Sequence, residues 1–174
     1  MDNINIISQN NSKWIIEQRR YLHKHPELSL CESNTAKYCS DIMKGLGYSI
    51  NQSWGNGFTA DIEIPGVIKR IAFRTDMDAL PIQEKSGDSF TSINQNISHA
   101  CGHDTHMAIA LGTAKIIAEN SKRLEKNIRF IFQPSEERLP GGAKGMIESG
   151  CLDDVDEIYG LHNDPGTEIG EIRI

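Results

Sequence analysis

The stretch NIRFIFQPSEE, residues 127–137, joins the most regular hydrophobic run of the chain to a pair of acidic residues. Its first part, Asn127–Gln133, is rich in Ile and Phe, which is typical of a buried strand. Two further runs, RIAFRTDMDAL at 70–80 and EIYGLH at 157–162, also end on residues that bind metals or transfer protons. Because helix-like segments separate the runs, we expect an α/β sheet with a polar cluster at the carboxyl ends of its strands, where open α/β sheets hold their active sites.

The other predicted elements follow from apolar spacing and capping residues. Ser12 and Ser33 are predicted to cap two helices, which Pro26 and Gly47 would end. Further strands and helices are predicted at residues 48–54, 58–64, 71–74, 104–119, 143–149 and 158–162. This alternation of strands and helices predicts one α/β layered domain without internal repeats.

Composition narrows the class of protein. A chain of 174 residues with 38% hydrophobic and 24% charged residues suits one globular domain with a core. The net charge of -6, without a block of Lys and Arg, argues against nucleic acid as a partner. No apolar stretch is long enough for a membrane span, and the start lacks the layout of a signal peptide, so we expect a cytoplasmic protein. The four cysteines form no C-x-x-C pair, which argues against a disulfide scaffold.

The segment HACGHDTH is the first candidate metal site. Cys101 and His103 can face the same point from a loop, and a thiolate with an imidazole suits zinc as well as manganese, cobalt or nickel. Asp104 would open the next helix and is interpreted as its cap. For His99 and His106 the sequence favours neither a ligand nor a packing role.

A pair of adjacent acids follows the strongest strand. Adjacent residues on an extended backbone point in opposite directions, so one of Glu136 and Glu137 could bind metal while the other holds a water. A divalent metal makes a water easier to deprotonate, and a nearby carboxylate can take the proton and pass it to a leaving amine. The position of the pair, directly after a strand, favours this interpretation over two solvated acids.

Asp76 and Asp78 are a weaker signal, since such residues commonly cap turns. Beside a histidine-bound metal, however, a carboxylate can accept the other ring N–H, and we expect Asp78 to do so. His162 closes the last hydrophobic run and is interpreted as a ligand. His23 and His25 are interpreted as structural, because histidines two apart do not share a helix face.

Five segments, in this order and spacing, resemble one known family: RYLHKHPELSLCE, FRTDMDALPIQE, HACGHDTHMA, IFQPSEERLPGGAKGMIESG and GLHNDP. They resemble the amidohydrolase branch of the aminoacylase/carboxypeptidase metallopeptidase superfamily, which includes hippurate hydrolases, N-acyl-L-amino acid amidohydrolases and auxin-conjugate hydrolases. The resemblance implies a three-layer α/β/α zinc-exopeptidase-like catalytic domain. It also implies hydrolysis of the amide bond of N-acyl amino acids or short peptides.

The resemblance implies a role for each matching residue. It implies a site for two divalent ions, from zinc, manganese, cobalt or nickel, with these ligands: Cys101, His103, Glu137 and His162. Glu136 matches the catalytic acid and base, and Asp76 and Asp78 match the acidic motif that supports the site. Ser135 departs from the alanine usual in the family, and Asn163 departs from the usual apolar residue.

Length is the largest departure from the family. Its members continue with a lid and dimerisation domain, and then return to the catalytic domain with one more metal-binding histidine. We therefore expect residues 1–174 to be the N-terminal portion of the catalytic domain. Such a portion would be marginally stable alone, or would assemble into a homo-oligomer or with its missing half.

Three other hypotheses stay open at this point. The chain could be an inactive fragment that binds metal or a partner. It could hold a purely structural zinc ion, although the spare carboxylate of Glu136 argues against four closed ligands. It could use Cys101 as a nucleophile with His103, which would require a lowered thiol pKa.

Overall fold

The computed structural model of the chain describes residues 4–174. In chain order the elements are α1 Ile4–Lys24, α2 Ser33–Gly45, β1 Ser49–Gln52, β2 Phe58–Ile62, β3 Arg70–Asp76, α3 His103–Glu119, a short 3-10 turn Ser121–Arg123, β4 Asn127–Gln133, α4 Gly142–Glu148 and β5 Glu157–Gly160. Within this described part, no helix combines the length and the apolar character needed to cross a bilayer.

The strands form one mixed sheet in the order β1-β2-β4-β3-β5. Strands β4, β3 and β5 run parallel to one another, whereas β2 is antiparallel to both β4 and β1. Asp76, the last residue of β3, pairs with Gln133, the last residue of β4. The predicted α/β sheet is therefore confirmed, and the segments that follow its three parallel strands leave from the same edge.

Alternation along β4 divides the core between the two faces of the sheet. Phe130 and Phe132 belong to the larger hydrophobic cluster, and the ring of Phe132 stacks on Phe58 at a centroid distance of 4.5 Å. Ile131 points to the other face, where it packs with Met146 of α4. This arrangement follows from the two-residue period of a strand. Helices α2 and α3 contact one face and α4 contacts the other, with α1 packed on α3, so the sheet has flanking helices on both faces.

The two predicted serine caps are wrong. Ser12 lies inside α1 and donates its hydroxyl to the carbonyl of Gln9, because packing of α1 along α3 extends this helix well before the serine. Ser33 is the first residue of α2 and makes no cap. The backbone N–H of Thr35 instead donates to the carboxylate of Glu27 at 2.8 Å, so a residue of the preceding loop satisfies the helix start.

The prediction that residues 158–162 form a core strand is also wrong. Strand β5 ends at Gly160, and all of its residues are exposed, including the side chains of Ile158 and Tyr159. The reason is its place at the edge of the sheet, where β3 is its partner on one side among the described strands. An apolar strand pattern thus identified a strand but not its burial.

Candidate metal centre

His103, the first residue of α3, lies at the centre of the polar cluster and is fully buried. Its Nε2 atom lies 3.6 Å from Oε1 of Glu137, 3.7 Å from Oδ2 of Asp76 and 4.0 Å from Oε2 of Glu136. These carboxylates lie at the end of β3 or just after β4, so the parallel strands place them at the amino end of α3, as expected for an α/β sheet.

The thiol and the last predicted ligand approach the same histidine. The Sγ atom of Cys101 lies 3.4 Å from Nε2 of His162, and the ligand atoms of both residues lie within 4.8 Å of a ring nitrogen of His103. His103 also belongs to a second group of this size with Glu136 and Glu137. The structure therefore brings the other three predicted ligands, Cys101, Glu137 and His162, around the imidazole of His103, while the role of all four as ligands stays a prediction.

The donor atoms fit a divalent cation. Both ring nitrogens of His103 are buried, and within the described residues neither has a hydrogen-bond partner. Buried polar atoms are nearly always partnered, so an imidazole without a hydrogen-bond partner beside several carboxylates fits a divalent cation as its partner. Sulfur, imidazole nitrogen and carboxylate oxygen together suit zinc, and also manganese, cobalt or nickel.

Electrostatics at the site favour positive charge. Burial lowers the pKa of His103, but the neighbouring carboxylates of Asp78 and Asp76 outweigh that effect and raise it. Burial also raises the pKa of the Cys101 thiol to about 12, with a further contribution from Glu137. A nucleophilic cysteine requires the opposite shift, so the surroundings of Cys101 do not favour the thiolate on which cysteine catalysis depends.

Asp78 makes its principal contacts with the loop that follows β4. Its Oδ1 atom accepts the backbone N–H of Glu136 at 2.9 Å, and its Oδ2 atom accepts that of Glu137 at 3.0 Å and the hydroxyl of Ser29 at 2.6 Å. The predicted contact with the His103 ring is present at 3.6 Å, which is longer than a hydrogen bond. Burial raises the pKa of Asp78, but the neighbouring His103, the Ser29 hydroxyl and the two backbone N–H groups outweigh it and hold that pKa well below its usual range.

The expectation that Glu136 and Glu137 point in opposite directions is wrong. Both carboxylates approach Nε2 of His103, because the backbone before them is not extended. Ser135 has a φ of 50°, in the left-handed region, and the N–H of Gly142 donates to its carbonyl at 2.9 Å. A side chain at position 142 would place a Cβ 2.0 Å from the Pro134 carbonyl oxygen, so this turn requires glycine.

His106, for which the sequence favoured neither a ligand nor a packing role, contacts the end of β3 and the segment after β5. Its Nδ1 atom lies 2.8 Å from Oδ1 of Asp76 and its Nε2 atom lies 3.0 Å from the backbone nitrogen of Asn163. Burial raises the pKa of Asp76, but the contact with His106 contributes to lowering it below its usual value. The Nε2 atom of His106 also lies 2.7 Å from Oδ1 of Asn163, so both the side chain and the main chain of Asn163 contact this ring nitrogen. Because Nδ1 of His162 lies 2.7 Å from the Asn163 carbonyl, this chain of contacts orients His162.

Asp104 is not a helix cap, contrary to prediction. The N-cap position of α3 is Gly102, and no side chain caps the helix there. The fully buried carboxylate of Asp104 instead lies 2.8 Å from Nδ1 of His23 and 2.8 Å from Nε of Arg19, both on α1. The structural role predicted for His23 agrees with this contact, and the ion pair ties α1 to the start of α3.

His99 and Glu32 are buried polar residues outside the predicted ligand set. Burial lowers the pKa of His99 to about 4, and no described group of potential ligands includes this residue. Glu32 accepts the backbone N–H of Ser135, although sequence reasoning assigned it no role. In the sequence, Glu32 was notable only as part of the family-like segment RYLHKHPELSLCE. No pattern within that segment predicts a hydrogen bond to a loop about a hundred residues later.

The chain is similar to known proteins over most of its length. Residues 72–174 match peptidase family M20/M25/M40. The N-acyl-L-amino acid amidohydrolase of Geobacillus stearothermophilus is 41% identical over 163 residues, which are 92% of this chain and 44% of that protein. The N-acetyl-L-cysteine deacetylase of Bacillus subtilis is 42% identical over 163 residues, 93% of this chain and 39% of that protein.

A solved structure from Bacillus subtilis, described as a dinuclear metal binding peptidase from the M20 family, superposes with a TM-score of 0.85 at 38% identity. The match covers 91% of this chain and 45% of that one. The chain thus spans less than half the length of the relatives it matches. The resemblance inferred from the motifs is confirmed: the chain belongs to peptidase family M20/M25/M40, in its amidohydrolase branch.

Proposed function

We propose that this chain is the N-terminal portion of the catalytic domain of a metal-dependent amidohydrolase that cleaves the amide bond of N-acyl amino acids or short peptides. The observation that carries the proposal is His103, whose buried ring nitrogens have no partner among the described residues while a thiol, an imidazole and carboxylates surround it. The printed activities of two relatives, an N-acyl-L-amino acid amidohydrolase and an N-acetyl-L-cysteine deacetylase, support the substrate class.

The residues that would hold a pair of divalent ions are Cys101, His103, Glu137 and His162. Bound zinc, manganese, cobalt or nickel would polarise the scissile carbonyl and make a water easier to deprotonate. The description of the Bacillus subtilis structure as dinuclear supports two ions rather than one. Asp76 and Asp78 support the site from behind, since both are almost completely buried and contact the histidines or the loop of the two glutamates.

Glu136 is the proposed general base and acid. Its side chain is 41% exposed against 22% for Glu137, and its carboxylate is the farther of the two from Nε2 of His103. Glu137 is therefore the better placed ligand, and Glu136 is the better placed group to meet water and substrate. In the proposed reaction Glu136 accepts a proton from the attacking water and donates it to the departing nitrogen of the amide.

A comparison of wild-type chain with Glu136→Gln tests this proposal. Free amino acid released from N-acetyl and N-benzoyl amino acids is measured with chelator and after addition of each divalent metal, together with bound metal. We expect chelator to abolish turnover, and Glu136→Gln to keep the metal while turnover falls about 10²–10⁴-fold. Glu148→Gln, at an exposed position of α4, is the control and should behave as wild type.

The second candidate function is a metal-binding fragment without activity of its own. It is favoured by the length of the chain, which spans less than half of each reported relative. Metal bound with wild-type stoichiometry, but no turnover in any variant, would support this candidate. Absence of metal binding in the wild type, or full activity of Glu136→Gln, would contradict the proposed function.

A further inference from the structure

Glu32 carries a carboxylate that is fully buried and surrounded by neutral donors. Its Oε1 atom accepts the backbone N–H of Ser135 at 2.8 Å and that of Leu30 at 2.9 Å. Its Oε2 atom accepts the side-chain amide of Asn56 at 3.0 Å. Burying a carboxylate is unfavourable unless its oxygens are hydrogen-bonded, so these donors together hold Glu32 in one place.

The contact with Ser135 lies at a strained point of the backbone. Ser135 is 2% exposed and has a φ of 50°, a conformation that non-glycine residues adopt only where the surroundings hold them in it. It stands directly before Glu136 and Glu137, so its backbone angles set the direction in which both acids leave β4. Glu32 therefore contacts the left-handed residue that directly precedes the two acids.

Three successive backbone amides donate to two buried carboxylates. The N–H of Ser135 donates to Glu32, and the N–H groups of Glu136 and Glu137 donate to Asp78. The two acceptors come from different parts of the chain, one from the loop after α1 and the other from the segment after β3. These two carboxylates therefore hold the backbone of residues 135–137 in place even when no metal is bound to the side chains of that loop.

We propose that Glu32 is a positioning residue, which holds Ser135 in its left-handed conformation and thereby aims the carboxylates of Glu136 and Glu137 at His103. The inference rests on the proposed function, in which Glu137 is a metal ligand and Glu136 is the base. Glu32 itself does not approach the reacting atoms. Its effect is a preformed loop, and a preformed loop binds metal more tightly because less order must be created on binding.

A general contribution to folding is the competing explanation, and Glu27 is the matched control for it. Glu27 lies in the same loop and also accepts a backbone N–H, but its partner is Thr35 at the start of α2. It accepts the side-chain amide of Asn34 as well, at 2.7 Å. Removal of either carboxylate should lower stability, whereas only removal of Glu32 should release the loop that begins at Ser135.

The experiment compares wild type with Glu32→Ala, Glu32→Gln and Glu27→Ala. The first measurement is hydrogen exchange of the amides of residues 135–137 in metal-free protein, and the second is a Co²⁺ titration followed by the absorption of the bound ion. We expect Glu32→Ala to exchange these amides at least about tenfold faster and to bind Co²⁺ about 10–100-fold more weakly. Glu32→Gln should recover both properties, because its carbonyl oxygen still accepts from Ser135. Glu27→Ala should leave both at wild-type values.

Wild-type exchange of these amides in Glu32→Ala, or equal acceleration in Glu27→Ala, would overturn the role of Glu32. If Glu32→Ala does not fold, Glu32→Asp replaces it, since aspartate keeps the charge but is one methylene too short to reach Ser135. Faster exchange in Glu32→Asp but not in Glu32→Gln then supports the proposal, and equal exchange in both contradicts it. A wild-type protein that binds no Co²⁺ would refute the proposed function, while the exchange of the metal-free protein would still decide the role of Glu32.

Discussion

Oδ1 of Asp78 accepts a hydrogen bond from the backbone N–H of Glu136 at 2.9 Å. The other oxygen of the same carboxylate accepts the N–H of Glu137 at 3.0 Å. One buried side chain after β3 thus fixes the main chain of two consecutive acids after β4. The same carboxylate lies 3.6 Å from Nδ1 of His103. Asp78 therefore contacts both the backbone of the two acids and the central histidine.

Asp78→Asn should weaken metal binding without unfolding the chain. The substitution replaces one accepting oxygen by an amide group, which faces a backbone N–H and leaves that donor unsatisfied. We expect a loss of about 1–3 kcal/mol in the free energy of unfolding and a loss of about 10–100-fold in affinity for Co²⁺. Urea denaturation and Co²⁺ titration measure the two effects.

The control for Asp78→Asn is Asp41→Asn, which removes an exposed carboxylate paired with Lys37 on the surface of α2. Exposed pairs of this kind contribute little, so the control should match wild type within about 0.5 kcal/mol. Co²⁺ affinity at the wild-type level in Asp78→Asn would contradict the role of this carboxylate in placing the ligands.

Gly102→Ala should destabilise the protein and disturb the segment between Cys101 and His103. Gly102 has a φ of 83°, and an added Cβ would lie 2.1 Å from Oδ1 of Asn163. The backbone strain alone is expected to cost about 1–3 kcal/mol, and the displacement of Asn163 adds to it. Urea denaturation should show the lower unfolding free energy, and Co²⁺ titration the weaker binding.

Gly45→Ala provides the opposite case for comparison with Gly102→Ala. Gly45 is the last residue of α2, and an added Cβ would meet no atom within 4 Å. Alanine is the better helix former, so this variant should be unchanged or more stable by up to about 1 kcal/mol. A Gly102→Ala protein as stable as Gly45→Ala would show that the left-handed turn at position 102 is not required.

Acid should destabilise the metal-free protein partly through His99. Burial lowers the pKa of this histidine from 6.5 to about 4, so between these values the unfolded chain binds a proton that the folded chain does not. The free energy of unfolding is therefore unaffected by protonation of His99 above pH 6.5. As the pH falls from 6.5 towards 4, this free energy decreases by an amount on the order of 3 kcal/mol. Urea denaturation from pH 8 to pH 4.5, with chelator present, measures this loss.

His99→Gln cannot bind a proton in this range, so its unfolding free energy should decline less than that of the wild type on acidification. Between pH 7 and pH 8 His99 is neutral in both states, and the difference between the two proteins should be constant there. Parallel curves over the whole pH range would show that His99 does not contribute to the acid sensitivity of the fold.

The regular elements could largely be predicted from the sequence. Strand β4 has the bounds predicted for it, and α3 begins one residue before the predicted start. Both have a hydrophobic period that depends on neighbouring residues alone. The helix caps could not be predicted. At the start of α2 the backbone N–H of Thr35 donates to Glu27, which belongs to the preceding loop, and the N-cap of α3 is Gly102 in a left-handed conformation. No capping pattern in the sequence contains either feature.

The side chains at the candidate site could be predicted more completely than their arrangement. Cys101, His103 and His162 are brought together as the spacing of motifs along the strands suggested. The exposure of β5 could not be predicted, since an apolar run reports the tendency to form a strand and not the position of that strand in a sheet. His106 and Asn163 had no distinct signal either, because their contact joins α3 to the segment after β5.

The sequence by itself determined that this protein has an α/β sheet and that acids, imidazoles and a thiol follow its parallel strands, because local periodicity and strand direction decide both. Only the tertiary structure decided that Glu136 and Glu137 face the same imidazole. In that arrangement the backbone N–H of Glu136 donates to Asp78, 58 residues earlier, and the backbone N–H of Ser135 donates to Glu32, 103 residues earlier. Such contacts form only when distant segments pack together, and no local pattern of residues contains them.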